Sequence, residues 1–346
     1  MIPSWITLPA KAIDQNARQS AKQHQACLTK PPGSLGLLED IAIHFAGWQS
    51  NFLPTCSNIF IRIFAADHGV CKHNVSAFPQ SVTAQMISNF LAGGAAISVL
   101  AKNMNADFKV VNMGTVEPIE EMKSLVNIQL AAGTNDFSQN AAMSAQQMHQ
   151  AMQHGREQIN ASNAQLFIGG DMGIGNTTSA SAIYSQILNL EPKMTVGAGT
   201  GVGKEGLIIK QKIIATAFSL HSENLDSPLN ILQHVGGLEI AALTGAYIAA
   251  AQNGIPILVD GFIATAAALL AVKINPSVHD WMLFAHQSAE PAHVKALDYL
   301  DATPLLNIGM RLGEGSGAAV AVPIIQNALL LHAKMATFSS AGVTNV

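Results

Sequence analysis

Charged side chains are scarce in this sequence, at 12% of its 346 residues, whereas soluble domains carry roughly 25%. The formal net charge is −4, and the 18 lysines and arginines are scattered rather than gathered in a run. Because nucleic-acid-binding proteins present a basic patch or stripe, we expect no nucleic-acid partner. Hydrophobic residues make up 49% of the chain. This excludes intrinsic disorder, since disordered chains combine low hydrophobicity with high net charge.

Cysteine is scarce too. The three cysteines, Cys27, Cys56 and Cys71, lie far apart and form no paired motif. An odd number at this spacing disfavours both a disulfide scaffold and a zinc ribbon.

Long uninterrupted apolar runs are missing, although the mean hydropathy is +0.27. The stretch 241–259 is broken by Gln252, Asn253 and Pro256, and the stretch 261–272 is too short to span a bilayer. Residues 1–14 lack the basic start and apolar run of a signal peptide. We therefore expect a soluble, cytoplasmic protein with no membrane partner.

Short apolar runs alternate with longer Ala-rich stretches of helical composition. Five stretches are the best strand candidates: residues 59–66, 108–113, 165–168, 255–259 and 281–285. Continuously apolar strands separated by helices predict an α/β fold, with a parallel sheet covered by helices on both faces. Ligands bind beyond the carboxyl ends of such strands, so the residues that follow each strand are the place to look for chemistry.

The two ends of the chain differ from this pattern. Residues 1–50 are more polar and have helical spacing, and residues 318–336 have the composition of a helix that Pro323 interrupts. We expect both ends to pack together as a small helical domain, residues 1–55 and 318–346. The large α/β domain, residues 56–317, would then carry the site.

The densest chemical signal is the string GGDMGIGNTTS at residues 169–179, between a predicted strand and a predicted helix at 180–188. Glycines allow backbone N–H groups to approach an anion closely, and a helix N-terminus favours negative charge. An ordinary glycine-rich turn with a helix cap is the alternative. We favour a phosphate or carboxylate cradle, because one cap does not need four glycines.

A second glycine cluster, GAGTGVGK at 197–204, matches neither standard nucleotide-binding template. It contains no G-x-G-x-x-G, and Glu205 follows Lys204 where a P-loop has Ser or Thr. A dinucleotide or NTPase fold is therefore not indicated. An anion-binding loop with Lys204 or Lys210 as the cation remains open.

A third string, RLGEGSGA at 311–318, places Glu314 between glycines ahead of an apolar helix. A Glu buried among apolar neighbours has a raised pKa and accepts protons near neutrality. Taken alone, the string fits a solvated loop carboxylate near a helix N-terminus slightly better.

Two further groupings carry less weight. Asp67, His68 and His73 invite a metal site, but one carboxylate and two loosely spaced histidines fit structural roles better. The string AHQSAE at 285–290 contains part of a Ser-His-acid set, yet it lacks the G-x-S-x-G elbow of serine hydrolases.

Taken together, these strings resemble the nicotinate-nucleotide–dimethylbenzimidazole phosphoribosyltransferase family. The segments that carry the resemblance occur in the family's order: KPPGSLG at 30–36, ADHGV at 66–70, residues 79–86, residues 170–178, VDGF at 259–262, SAE at 288–290 and MRLGEGSGA at 310–318. The first and last strings are highly specific, and the resemblance covers nearly the whole chain.

The resemblance implies a Rossmann-like parallel sheet domain with a small helical domain, assembled as a homodimer. It also implies transfer of ribose 5-phosphate from nicotinate mononucleotide to 5,6-dimethylbenzimidazole, with inversion, in cobalamin lower-ligand synthesis. No metal or other cofactor is expected. The pyridinium ring leaves as a neutral pyridine, so the reaction needs one base, which removes the N–H proton from the benzimidazole nitrogen that does not attack. A base of this kind typically contributes about 10²–10⁴-fold.

By resemblance, that base is Glu314. The other implied substrate-binding residues are Asp171, Gly173, Gly175, Asn176, Thr177, Gly199, Lys210, Asp260, Ser288 and Gly313, with Phe78, Met86, Met172 and Leu312 around the flat base. Two positions depart from the family pattern. Asp171 stands where the family commonly has Glu, and Phe78 occupies a variable position, so acceptor specificity stays open among benzimidazoles, purines and phenols.

Two other functions are weighed against this one. A non-catalytic nucleotide-binding protein on the same fold would have no need of the Glu314 motif. A metal-assisted phosphohydrolase would use Asp67, His68 and Asp260, and its activity would be sensitive to a chelator.

Overall fold

The computed structural model describes residues 3–159, 163–199 and 201–344. Its strands are β1 Ile59–Ala66, β2 Asp107–Gly114, β3 Leu125–Asn127, β4 Leu166–Met172, β5 Ile257–Val259 and β6 Met282–Phe284. Its helices are α1 Gln15–Cys27, α2 Leu37–Gln49, α3 Ser81–Ala92, α4 Ala96–Asn103, α5 Ala145–Glu157, α6 Asn176–Leu188, α7 Pro192–Thr195, α8 Lys204–Leu220, α9 Pro228–Val235, α10 Leu238–Asn253, α11 Phe262–Ile274, α12 His293–Tyr299, α13 Ser316–Lys334 and α14 Phe338–Ala341.

The strands form one sheet in the order β3-β2-β1-β4-β5-β6, and every pairing is parallel. The α/β class predicted from the sequence is therefore confirmed. The chain winds outward from β1 in one direction and from β4 in the other. The boundary between β1 and β4 is the switch point beside which open α/β sheets bind ligands.

The sheet is buried on both faces, as continuously apolar strands require. All eight residues of β1 are buried. Helix α10 is buried along nearly its whole length and crosses α5 through small residues. A Cβ added to Gly155 would lie 1.8 Å from the carbonyl oxygen of Ala242, so glycine is required at this crossing.

Two expectations from the sequence were wrong. Strand β3 was not predicted, because its three residues lie at the sheet edge and are partly exposed. Pro323 does not interrupt the C-terminal helix: α13 runs through it. The proline ring is on the exposed side of α13, and the neighbours Val322 and Ile325 are fully buried. Packing of this buried face keeps the helix continuous despite the missing N–H.

The two ends of the chain pack together, as the sequence suggests. Helices α1 and α2 contact each other, and α13 packs on α2. His332 of α13 bonds to Gln25 of α1, and Leu28 pairs with Thr337 in an isolated antiparallel bridge. The domain boundaries at 55/56 and 317/318 stay predictions.

Two helical segments are long and apolar enough to cross a membrane by length and composition alone, 81–103 and Ser316–Lys334. The first contains α3 and α4, which are separate helices divided at Gly93 and Gly94. The second is α13, whose apolar face packs on α2.

Candidate active site

A cavity of about 300 Å³ opens beyond the carboxyl ends of β4, β5 and β6. Eleven of the fifteen site residues implied by the resemblance line it: Phe78, Asp171, Met172, Gly173, Asn176, Thr177, Gly199, Ser288, Leu312, Gly313 and Glu314. The other four, Gly175, Lys210, Asp260 and Met86, are not part of the lining. Gly175 caps α6, Lys210 and Asp260 are fully buried behind the cavity wall, and Met86 packs against the core.

The first glycine cluster forms the end of β4 and the turn into α6. Gly175, the N-cap of α6, has φ +97°, which only glycine adopts without strain. A Cβ on Gly170 would lie 2.6 Å from the backbone of Glu314, so this strand and the Glu314 loop touch directly. Two hydrogen bonds fix the turn: the carbonyl oxygen of Ile174 accepts from the Cys71 thiol, and the N–H of Ile174 donates to the Thr83 hydroxyl. The first turn of α6 therefore faces the cavity through Asn176 and Thr177. The N–H groups of Asn176 and Thr178 donate to the carbonyl oxygens of Gly173 and Gly175, so the turn favours an anion through the positive end of the helix dipole.

Lys210 lies behind this turn and is fully buried. Its ammonium donates to Thr177 Oγ1 at 2.9 Å and to the carbonyl oxygen of Gly197 at 3.1 Å. Burial lowers the pKa of Lys210 to about 8, and the nearby charge of Glu290 partly opposes this fall. The lysine thus joins the two glycine clusters and puts a positive charge behind the cradle.

Glu314 lies in a run of three residues with left-handed backbone: Gly313 at φ +83°, Glu314 at +64° and Gly315 at +77°. A left-handed conformation is costly for a residue that carries a Cβ, and it persists only where the surrounding structure imposes it. The residue is only 7% exposed, and Oε2 has no hydrogen-bond partner among the residues that the structure describes. Burial, with a contribution from Asp260, raises the pKa of Glu314 to about 7. The loop therefore presents a carboxylate that takes up a proton near neutrality.

Asp260 follows β5 and is fully buried. Its Oδ2 accepts from the backbone N–H of Gly315 at 3.1 Å, and its Oδ1 accepts from that of Ala318 at 2.7 Å. The carboxylate is therefore bound to the backbone at the start of α13 rather than exposed in the cavity.

Asp171, at the end of β4, lines the cavity and accepts a hydrogen bond from Asn176 Nδ2 at 2.9 Å. Its pKa is raised well above the usual range, chiefly by burial and then by Asp260 and Glu239. The cavity thus holds two carboxyl groups, Asp171 and Glu314, with weakened acidity.

The mouth of the cavity is apolar and exposed. Phe78 is 52% exposed and Leu312 57% exposed, and Met172 lines the wall deeper inside. Exposed apolar side chains around a concave site suit a flat aromatic ligand. Met86 lies on α3 and packs against the core outside this lining.

Several residues that line the cavity were quoted within the sequence strings but not included among the predicted site residues, among them His286, Glu290 and Arg311. Glu290 accepts from the backbone N–H of Gly199 at 2.9 Å, and Arg311 donates to the carbonyl oxygen of the same residue. Both hold the second glycine cluster at the cavity. Their positions in the SAE and RLGEGSG strings were the available signal.

The residues of the alternative metal site do not gather around one point. His68 is fully buried and bonds Glu239 at 2.7 Å and Ser179 at 3.1 Å. His73 pairs instead with Asp136 at 2.9 Å. Within residues 3–159, 163–199 and 201–344, no three His, Cys, Asp or Glu side chains are arranged to hold a metal ion. These histidines have protein partners instead.

The arrangement combines an anion cradle, a buried base and an apolar mouth in one cavity. The cradle and its lysine suit a phosphate or carboxylate. Glu314 suits removal of a proton from a ring nitrogen, and the mouth suits a flat ring. This set fits a transfer reaction between an anionic donor and an aromatic acceptor.

Comparison with known proteins agrees with this arrangement. A family profile described as phosphoribosyltransferase matches residues 10–343. A protein of Ectopseudomonas mendocina, named nicotinate-nucleotide–dimethylbenzimidazole phosphoribosyltransferase, is 48% identical over 342 residues, covering 98% of this chain and 97% of its own. A protein of Pseudomonas syringae with the same name is 49% identical over 348 residues, covering 100% and 99%.

A solved structure, titled as that of CobT from Thermus thermophilus, superimposes with a TM-score of 0.91 at 39% identity. The match covers 96% of this chain and 100% of that one. Both the sequence and the fold thus agree over the full length. The chain belongs to the nicotinate-nucleotide–dimethylbenzimidazole phosphoribosyltransferase family.

Proposed function

We propose that this enzyme transfers the ribose 5-phosphate group of nicotinate mononucleotide to a ring nitrogen of 5,6-dimethylbenzimidazole. The C1′ bond to the pyridinium nitrogen breaks, and its electron pair returns to that nitrogen, so nicotinate leaves without a proton. A ring nitrogen of the acceptor forms the new bond to C1′ from the opposite face. The β-linked donor therefore gives an α-linked product, α-ribazole 5′-phosphate.

The observation that carries this proposal is the buried, left-handed Glu314, one of whose carboxylate oxygens has no hydrogen-bond partner in the described part of the chain. As the acceptor attacks, its other ring nitrogen becomes acidic and must lose its proton. A carboxylate with a pKa of about 7 is ionised in part at neutral pH and still accepts that proton readily. A nucleotide-binding protein without catalysis would gain nothing from a strained, buried base.

The donor is anionic at its phosphate and at its ring carboxylate. The positive N-terminal end of α6 and the charge of Lys210, which is bonded to Thr177, favour such a group. Ser288 lines the same cavity and is 3% exposed. Holding the donor here against an acceptor at the apolar mouth supplies much of the remaining rate through orientation.

The apolar mouth is where the acceptor base would enter. Met172 and Leu312 contribute thioether and aliphatic surface, and Phe78 adds a ring that can stack on a flat base. Phe78 is half exposed at the mouth, so a change of its side chain would alter the space open to the acceptor. It is the first position to examine for preference among benzimidazoles, purines and phenols. We further propose that the enzyme acts in the cytoplasm as a homodimer.

Mass-spectrometric analysis of products tests the function. The purified protein is incubated with nicotinate mononucleotide and 5,6-dimethylbenzimidazole in the presence of excess chelator, and each substrate is omitted in turn. We expect nicotinate and α-ribazole 5′-phosphate only when both are present. Tight mononucleotide binding without any product would favour the binding protein, and loss of activity on chelation would favour the phosphohydrolase.

A further inference from the structure

Asp260 joins the end of β5 to the segment that carries the base. Its two carboxylate oxygens accept from the backbone N–H groups of Gly315 and Ala318, and Gly317 adds a third interaction. Ser316 completes the turn by bonding to the carbonyl oxygen of Gly313 at 2.7 Å. Glu314 lies inside this turn, so Asp260 fixes the residues on its C-terminal side.

This anchoring bears on the direction in which the base points. Three successive residues here have left-handed backbone, and one of them, Glu314, carries a Cβ. Such a conformation persists only where the surroundings impose it. The surroundings here are the close approach of Gly170 on one side and the Asp260 carboxylate on the other.

The bonding pattern also indicates the charge on Asp260. Both of its oxygens accept N–H groups, as an ionised carboxylate does. The N-terminus of the 19-residue helix α13 favours an anion at this place. His286 lies near by, with Nε2 3.7 Å from Oδ1. Burial raises the pKa of Asp260, while His286 and the backbone donors oppose that rise.

Other titratable or charged side chains line the same cavity as Glu314. Asp171 comes from the end of β4, His286 and Glu290 from the segment after β6, and Arg311 from the same loop as the base. Burial is the largest cause of the raised pKa of Glu314, and Asp260 is the second. Asp260 is therefore the neighbouring charge that bears most on the base.

We infer that Asp260 is a positioning residue for Glu314: it holds the left-handed turn in place, and its fixed negative charge strengthens Glu314 as a proton acceptor, without contact with either substrate. This inference rests on the proposed function, and it differs from the substrate-binding role that the resemblance implies for Asp260.

The test is the pH dependence of kcat/KM for the acceptor in Asp260→Asn, measured by nicotinate release with saturating donor. The acid limb of this profile reports the base in the enzyme–donor complex, before the acceptor binds. With the neighbouring charge removed, we expect the limb to move to lower pH by about one unit, and the plateau to fall because the turn is less well held. A merely structural role would lower the plateau and leave the limb in place.

Asp136→Asn is the matched control. Asp136 is also buried and also accepts a backbone N–H, from Ser138, but it does not line the cavity. Its replacement should leave the limb where it is. Should Asp260→Asn fail to fold, Asp260→Ser keeps a neutral oxygen acceptor and serves as the second variant.

The possible results distinguish failure of the Asp260 inference from failure of the proposed function. A limb that stays at the wild-type pH in a folded Asp260 variant overturns the inference while leaving the transferase function intact. A limb that moves equally in Asp136→Asn also overturns it. A wild-type protein that forms no riboside phosphate refutes the proposed function itself, and this is visible before any variant is compared.

Discussion

Replacing Glu314 with Gln removes the base while retaining its shape. Gln is nearly isosteric, and the left-handed backbone is equally strained in both variants. We expect turnover to fall about 10²–10⁴-fold, which corresponds to about 3–5 kcal/mol of transition-state stabilisation. Donor affinity should change little, because the cradle at α6 and Lys210 does not include Glu314.

The same substitution lowers activity but should raise the stability of the fold at neutral and higher pH. The pKa of Glu314 rises from 4.5 in a free side chain to about 7 in the fold, so ionisation is disfavoured in the folded state. Below pH 4.5 the raised pKa costs no stability; as pH increases towards 7 the wild type loses stability that Gln retains. Because the cavity admits water, we expect the difference above pH 7 to be on the order of 1–2 kcal/mol.

The assay pairs nicotinate release and calorimetric donor binding with melting curves at pH 4.5 and pH 8. We expect a Glu314→Gln variant that binds donor, barely turns over, and melts higher than wild type only at pH 8. A variant that keeps more than a third of wild-type turnover would refute the role of Glu314 as base. Equal melting temperatures of the two proteins at pH 8 would refute the claim that burial disfavours the ionised form of Glu314.

Three further predictions concern the same cavity. The pH profile of kcat/KM should be bell-shaped, rising through about 7 as Glu314 ionises and falling through about 8 as Lys210 loses its proton; a flat profile from pH 6 to 9 contradicts this assignment. Lys210→Met should raise the donor KM by about tenfold, since the positive charge behind the anion cradle is lost. An unchanged KM would show that this charge does not contribute to donor binding. Gly170→Ala should cost about 1–3 kcal/mol of stability and lower kcat more than donor affinity, because its Cβ meets the Glu314 backbone at 2.6 Å; a fully active Ala variant would show that this contact does not position the base.

Much of the fold could be predicted from the sequence, because a buried parallel sheet has a distinct pattern. The strand predicted at 59–66 matches β1, whose burial on both faces demands a continuous apolar run. Strand β3 could not be predicted, since three half-exposed edge residues carry no such pattern. The continuity of α13 through Pro323 depends on packing against other segments, which local sequence does not contain.

Many of the residues around the cavity could be predicted from the sequence, but the hydrogen bonds between them could not. Glycine strings after strands indicated where the cavity lies, and 11 of the 15 named residues line it. The strings could not show that the two oxygens of Asp260 bind the start of α13, 55 and 58 residues away along the chain. Nor could they show that Glu290 binds the N–H of Gly199 while Arg311 binds its carbonyl oxygen. Such pairings are set by tertiary structure.

The measurement that tests the central claim most directly is the anomeric configuration of the product. Proton NMR of the riboside phosphate formed from nicotinate mononucleotide and 5,6-dimethylbenzimidazole identifies the linkage at C1′. A base-assisted displacement by the acceptor predicts the α anomer from the wild type and almost none from Glu314→Gln. A β anomer, or free ribose 5-phosphate with no new riboside, would contradict the account.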